Sequence, residues 1–167
     1  MEKILIAIQS NNYDFFKKLV EERAVDINKP ILDNTDEPIG HTILYSNVDD
    51  RIKWLGCLLK NGYNINIFDS NGYSIGTHCI FNCDYGIFQY LLDNGININK
   101  TNNDCYNTVC EIFKRDNVNL IQMIIDKIDF RYRDKYDMNY FRRLGPSSEK
   151  YVKGYLNVNL HKLREML

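Results

Sequence analysis

The chain of 167 residues has almost no net charge, since 21 Lys and Arg stand against 22 Asp and Glu for a formal charge of −1 and a pI near 6.3. Such a balance offers no global positive field to a phosphate backbone or an anionic membrane, so neither nucleic acid nor membrane is expected as a partner. Long apolar runs are missing too. Asn11, Asn12, Asp14, Lys17 and Lys18 interrupt the first 19 residues, which therefore do not read as a signal peptide or a spanning helix. A cytoplasmic location is expected, with export by a secretion system that reads no cleavable leader left open. The five cysteines, Cys57, Cys79, Cys83, Cys105 and Cys110, are odd in number and contain no C-x-x-C pair, so neither a disulfide framework nor a zinc knuckle is indicated. A phosphate-cradling Gly-rich loop, an H-E-x-x-H and a G-x-S-x-G are all absent.

What is present is the composition of a folded protein, 44% hydrophobic and 26% charged, in a chain long enough for one domain or one short repeat array. Self-similarity is the main signal. Leu58-Leu59-Lys60-Asn61-Gly62-Tyr63-Asn64-Ile65-Asn66 returns 33 residues later as Leu91-Leu92-Asp93-Asn94-Gly95-Ile96-Asn97-Ile98-Asn99. Leu19-Val20 with Asp26-Ile27-Asn28 is an earlier copy, and Ile124-Ile125 with Ile128-Asp129-Phe130 is a later one that lacks the glycine.

A second phrase lies between these copies: Gly40-His41-Thr42-Ile43-Leu44, Gly72-Tyr73-Ser74-Ile75-Gly76, Cys105-Tyr106-Asn107-Thr108-Val109 and Asp137-Met138-Asn139-Tyr140-Phe141. Glu37, Asp69, Asn102 and Asp134 precede these by three residues. Gly62 and Gly95 suit a left-handed residue closing a helix. Thr42, Ser74, Asn107 and Asn139 suit N-caps, because a side-chain oxygen there can accept from exposed helical amides. Apolar residues three and four apart (Phe15, Phe16, Leu19 and Val20; Trp54, Leu55, Leu58 and Leu59; Ile87, Phe88, Leu91 and Leu92; Leu120, Ile121, Ile124 and Ile125) give one face of a helix in each copy. One such unit buries too little to fold alone, so the units must stack.

This two-phrase pattern resembles the ankyrin repeat. The resemblance implies an all-α solenoid of about five helix-turn-helix units with short extended fingers, forming a single domain over residues 1–167. The units are placed near 1–28, 37–66, 69–99, 102–131 and, as a degenerate cap, 134–167. An insertion at Lys29 to Asp36, and Ile43, Ile75, Thr108 and Tyr140 where the family has Pro, are departures. Past the break at Leu144-Gly145-Pro146, Tyr151, Val152, Tyr155 and Leu156 share a helical face, and a closing helix is expected through Leu160, Leu163 and Met166.

The resemblance also implies a non-enzymatic protein-binding module without cofactor or metal, monomeric alone, whose contacts come from finger tips and the exposed side of the inner helices. Carried over by position, the contact residues are His41 with Pro38 and Ile39, then Ser70, Asn71, Tyr73, Phe81 and Asn82. The next unit supplies Asn103, Asp104, Tyr106, Lys114 and Arg115, and the last supplies Lys135, Tyr136 and Met138. Aromatic residues are enriched among interface hot spots, so Tyr73, Tyr106 and Tyr136 are the expected anchors, with Lys114, Arg115 and Lys135 as a positive rim. An inhibitor or immunity-type antagonist is the leading reading, and a bacterial or viral effector that recruits a host protein is the alternative.

Three chemical readings compete with that one. His78, Cys79 and Cys83 offer i and i+4 thiols but no fourth ligand, so Cys79 is expected in the core and His78 in an ordinary hydrogen bond. A Cys/His nucleophile pair drawn from Cys83 or Cys110 with His78 or His161 has nothing to select it. Arg131-Tyr132-Arg133 and Arg142-Arg143 could form an RNA edge, but Asp129, Asp134 and Asp137 offset them.

Overall fold

The computed structural model describes residues 2–31, 37–137 and 139–159, with the backbone but not the side chain of Phe141. Among these residues there are nine α-helices, two short 3-10 turns and no β-strand. The helices are α1 (Glu2–Gln9), α2 (Tyr13–Glu21), α3 (Ile39–Tyr45), α4 (Arg51–Lys60), α5 (Ile75–Phe81), α6 (Tyr85–Asp93), α7 (Thr108–Lys114), α8 (Val118–Ile124) and α9 (Pro146–Val158). Chain contacts divide into two compact units, Met1–Ile96 and Asn97–Leu167.

In the first unit, α1 pairs with α2, α3 with α4 and α5 with α6, while α3 stacks on α5 and the row α2–α4–α6 stacks behind. The apolar stripes meet in that outer row. Phe16 and Trp54 are buried with ring centroids 4.6 Å apart, and Tyr13 meets Trp54 edge-on at 5.5 Å. Burial of each such ring contributes roughly 2–3 kcal/mol. Leu58, Phe88, Leu91 and Leu92 are buried as the periodicity requires, whereas Phe15 and Leu59, at the edges of their stripes, keep partial exposure.

Helix ends follow backbone chemistry that recurs from unit to unit. Gly62 (φ 88°) and Gly95 (φ 85°) are left-handed, and the following amides, Tyr63 N–H and Ile96 N–H, donate back to Leu58 and Leu91 carbonyls. Arg23 (φ 52°) does the same after α2. Lacking a glycine, α8 tightens instead into a 3-10 turn, Ile125–Lys127. Between paired helices, Asn11, Asp50, Cys83 and Asp116 all take positive φ, a cost that the tight helix-turn-helix imposes on non-glycine residues.

The Asn-rich phrases are wiring. Asp26, Asn64, Asn97 and Asp129 each accept through Oδ1 from the amide two residues on, at 3.0–3.1 Å. Two residues later, Asn28 accepts from Asn64 N–H and donates to the Gly62 carbonyl, and Asn99 likewise accepts from Asp129 N–H and donates to the Lys127 carbonyl. Each amide side chain thereby satisfies the backbone of the next finger.

Of the four expected caps, Ser74 and Asn107 hold and Thr42 fails, while Asn139 precedes a 3-10 turn, Tyr140–Arg143, rather than an α-helix. Ser74 accepts from Thr77 N–H and Asn107 from Cys110 N–H. Thr42, however, lies inside α3, which begins four residues earlier than its phrase suggests, at Ile39 after Pro38. Pro38 bridges to Pro30 as Ser74 bridges to Phe68, so Pro38, Ser74 and Asn107 are the equivalent N-cap positions. Gly40 is therefore not a finger glycine. It is small because the Tyr63 hydroxyl accepts its N–H at 3.3 Å, and an added Cβ would stand 2.7 Å from that oxygen.

In the second unit α7 pairs with α8 and packs against the 3-10 turn Tyr140–Arg143, while α9 packs on α8. Pro146 opens α9, and the Asp116 carboxylate caps it from afar by accepting Ser148 N–H at 2.8 Å. Gly145 must be small there, since a Cβ would meet Asp116 Cγ at 2.4 Å. Val152 faces inward and is fully buried. The expected continuation through Leu160, Leu163 and Met166 lies outside the described residues, as do residues 32–36 of the insertion.

Candidate partner-binding surface

The finger turn of the first unit is built on Asp69, whose Oδ1 accepts from Asn71 N–H at 2.9 Å and Tyr73 N–H at 2.8 Å. Gly72 closes the turn at φ 77°. This geometry presents Ser70 and Asn71 to solvent and turns Tyr73 back toward the helices, half-buried. The Tyr73 ring meets Phe81 edge-on at 5.2 Å and His78 at 5.9 Å. Asn82, the C-cap of α5, is exposed beside them.

His78 organises this face. Its Nε2 meets Asp69 Oδ2 at 2.8 Å, and its Nδ1 is engaged by the Tyr45 hydroxyl. With the proton on Nε2 donated to the carboxylate, Nδ1 is free to accept from the phenol. Tyr45, at the end of α3, is 54% exposed, yet its hydroxyl is fixed by this relay. Burial raises the Tyr45 phenol pKa, so the arrangement orients a neutral hydroxyl rather than generating a nucleophile. Both His78 nitrogens are engaged, Cys79 is fully buried with its thiol pKa raised by desolvation, and Cys83 sits in the exposed turn beyond α5. Among the described residues no group of three or more His, Cys, Asp and Glu could hold a metal ion.

His41 does not belong to the surface on which it was expected. It is 0% exposed, as is Ile39, and Pro38 is buried with them. The shifted start of α3 puts His41 at the inward position that Thr77 fills in α5. Its Nε2 hydrogen-bonds the Tyr73 carbonyl at 3.2 Å, and its Nδ1 has no partner among the described residues. Desolvation, reinforced by His78 at a ring distance of 5.0 Å, lowers its pKa to about 4. The same shift explains why Tyr45 escapes a sequence reading, since only the corrected alignment pairs it with Phe81 and Lys114.

In the second unit, Asn102 reproduces the Asp69 turn, accepting from Asp104 N–H and Tyr106 N–H at 2.9 Å each, and it leaves Asn103 and Asp104 exposed. Tyr106 is half-buried. Its hydroxyl donates to Glu111 Oε2 at 2.6 Å, and Arg115 Nε holds the other oxygen at 3.0 Å. Lys114 Nζ lies 4.6 Å from the Tyr106 ring centroid and the Arg143 guanidinium carbon 5.9 Å from it. Lys135 pairs with Asp104 at 3.1 Å and stands 5.6 Å over the ring of Tyr136, which is 71% exposed. Met138 lies outside the described residues. Tyr132, the aromatic of the weighed RNA edge, is buried and stacks on Tyr140 at 4.2 Å, while Arg131 pairs with Asp129.

Each unit thus carries its own group of finger and inner-helix side chains. Ser70, Asn71, Tyr73, Phe81, Asn82 and Tyr45 belong to the first, and Asn103, Tyr106, Lys114, Arg115, Lys135 and Tyr136 to the second. A family model for ankyrin repeats, in three copies, matches residues 4–102. No curated protein matches the chain.

Proposed function

The chain belongs to the ankyrin-repeat family, with an all-α solenoid fold and the character of a protein–protein interaction module, and from that premise we propose that it is a non-enzymatic antagonist that binds a target protein and blocks its action. The observation that carries this reading is preorganisation of large side chains on the finger and inner-helix side. Tyr45 is held by His78, Tyr106 by Glu111, and Tyr136 projects with Lys135 over its ring. Fixing an aromatic before encounter lowers the entropy cost of docking, which otherwise offsets much of the contact energy. Among the described residues α9 favours this reading over a recruiting adaptor, since Val152 is buried and its first turn is capped by Asp116, which packs the helix into its own unit. The reading places the protein in the cytoplasm, monomeric until it meets its target.

The test is capture of a target from the native cell on the immobilised chain, followed by assay of that target with and without added chain. Tyr45→Ala with Tyr136→Ala should abolish capture at nearly unchanged thermal stability, since both rings are exposed. A captured enzyme or toxin that keeps full activity in the complex removes the antagonist reading.

A further inference from the structure

The shifted start of α3 puts a carboxylate where the later repeats carry an aromatic. Ile31 N–H donates to the Glu37 carbonyl as Asp69 N–H does to that of Tyr73 and Asn102 N–H to that of Tyr106. Glu37, just before the N-cap Pro38, therefore holds the place of Tyr73 and Tyr106. That place neighbours the last residue of the inner helix: Tyr73 meets Phe81 at 5.2 Å, and Lys114 Nζ lies 4.6 Å from the Tyr106 ring centroid. For Glu37 the corresponding residue is Tyr45, 54% exposed, and Glu37 adds to the rise that burial causes in the Tyr45 pKa.

The second unit completes this arrangement from its own chain, with Tyr106 bonded to the Glu111 carboxylate and Lys114 over its ring. The first unit has the aromatic and the carboxylate without the cation. Glu37 is half-buried, and its carboxylate has no hydrogen bond or ion pair among the described residues. Burial raises its pKa, Asp69 raises it further and His78 lowers it. Residues 1–96 hold 8 Lys and Arg against 13 Asp and Glu. Lys29 and Arg51 are paired with Asp26 and Asp84, Lys3 on α1 lies outside ion-pair distance of Glu37, and the rest lie on or just after α2 and α4.

We propose that the inner-helix face of the first unit docks a Lys or Arg side chain of the protein partner, its charge against Glu37 and its alkyl stem across the Tyr45 ring. The inference rests on the binding reading above. The Tyr45 hydroxyl spends its proton on His78, so beside Asn82 it offers the same donor an acceptor oxygen. Its exposed ring face attracts a cation in its own right. Asp69 does not compete, being buried and taken up by His78 and the finger amides. A partner carboxylate or phosphate would meet like charge at Glu37, and a purely apolar side chain would bury that carboxylate unpaired.

The test selects binders of the immobilised full chain from a random peptide library displayed on phage and measures the selected peptides by fluorescence anisotropy. They should carry Lys or Arg beside an apolar residue, weaken as salt is raised, and lose about tenfold or more in affinity with Glu37→Gln. The melting temperature of Glu37→Gln should be unchanged or higher, because burial opposes the charge it removes. E21Q/E22Q, at the end of the outer helix α2, should leave binding as it is. Selection of acidic or uncharged peptides, no selection at all, or indifference of the basic peptides to Glu37→Gln overturns the proposal. Self-association of the chain that Glu37→Gln abolishes overturns it too, since a second copy would then supply the cation. A native target lost with the Tyr45 and Tyr136 variant but captured equally by Glu37→Gln would refute the cationic contact and leave the binding reading standing. A target that needs Glu37 for capture yet keeps full activity in the complex would uphold the contact and remove the antagonist reading.

Discussion

His41 makes the fold acid-sensitive in a calculable way. The native ring is neutral, donating from Nε2 to the Tyr73 carbonyl, and a proton added at Nδ1 would find no acceptor among the described residues. Its folded pKa of about 4 lies below the ordinary 6.5, so below 6.5 the unfolded chain takes up a proton that the folded chain refuses. Stability from this group is therefore complete above pH 6.5, is lost as pH falls toward 4, and changes no further below that. The full loss is about 3 kcal/mol, a large share of a typical folding free energy of 5–15 kcal/mol. Urea unfolding followed by circular dichroism, from about pH 7.5 to about pH 4, measures it against His41→Thr, the residue that α5 carries at the same position. The variant starts roughly 2 kcal/mol less stable, since the Tyr73 carbonyl loses its donor and a cavity remains. Its stability should then fall with pH by about 3 kcal/mol less than that of the parent. Glu37, whose pKa is raised chiefly by burial and then by Asp69, titrates in both proteins and cancels in the difference. Parallel pH profiles for the two would refute the reasoning.

Two further perturbations follow from backbone geometry. Gly40→Ala drives a methyl into the Tyr63 ring and should cost about 1–3 kcal/mol, with partial recovery in Gly40→Ala/Tyr63→Phe; a silent Gly40→Ala in thermal unfolding would contradict the close packing. Cys105 occupies at φ 54° the finger-turn position that Gly72 fills at φ 77°, so Cys105→Gly should raise stability by up to about 1 kcal/mol, and a lowered melting temperature would argue against strain at that turn.

The repeat period, the helix-closing glycines Gly62 and Gly95, the caps Ser74 and Asn107 and the outer-helix stripes were all legible in the sequence, because each is a local choice of residue type with one dominant physical use. The second repeat misled, because Gly40 mimics a finger glycine while its smallness answers Tyr63, 23 residues away. From that shift came the errors at the candidate surface: Pro38, Ile39 and His41 assigned outward and Tyr45 overlooked. Left-handed turns at Asn11, Asp50, Cys83 and Asp116 carry no glycine to announce them. The capping of α9 by Asp116 joins groups 32 residues apart, and no spacing rule reaches that far.

Placement of the binding side is tested most directly by a photo-crosslinking residue introduced singly at Tyr45 or Tyr136, and for comparison at Gln89 on α6 or Lys153 on α9, with irradiation in a native lysate. An adduct from Tyr45 and an adduct from Tyr136, neither seen from Gln89 or Lys153, are the predicted result. Adducts from Gln89 or Lys153 alone would place the partner on α6 or α9 and contradict the account.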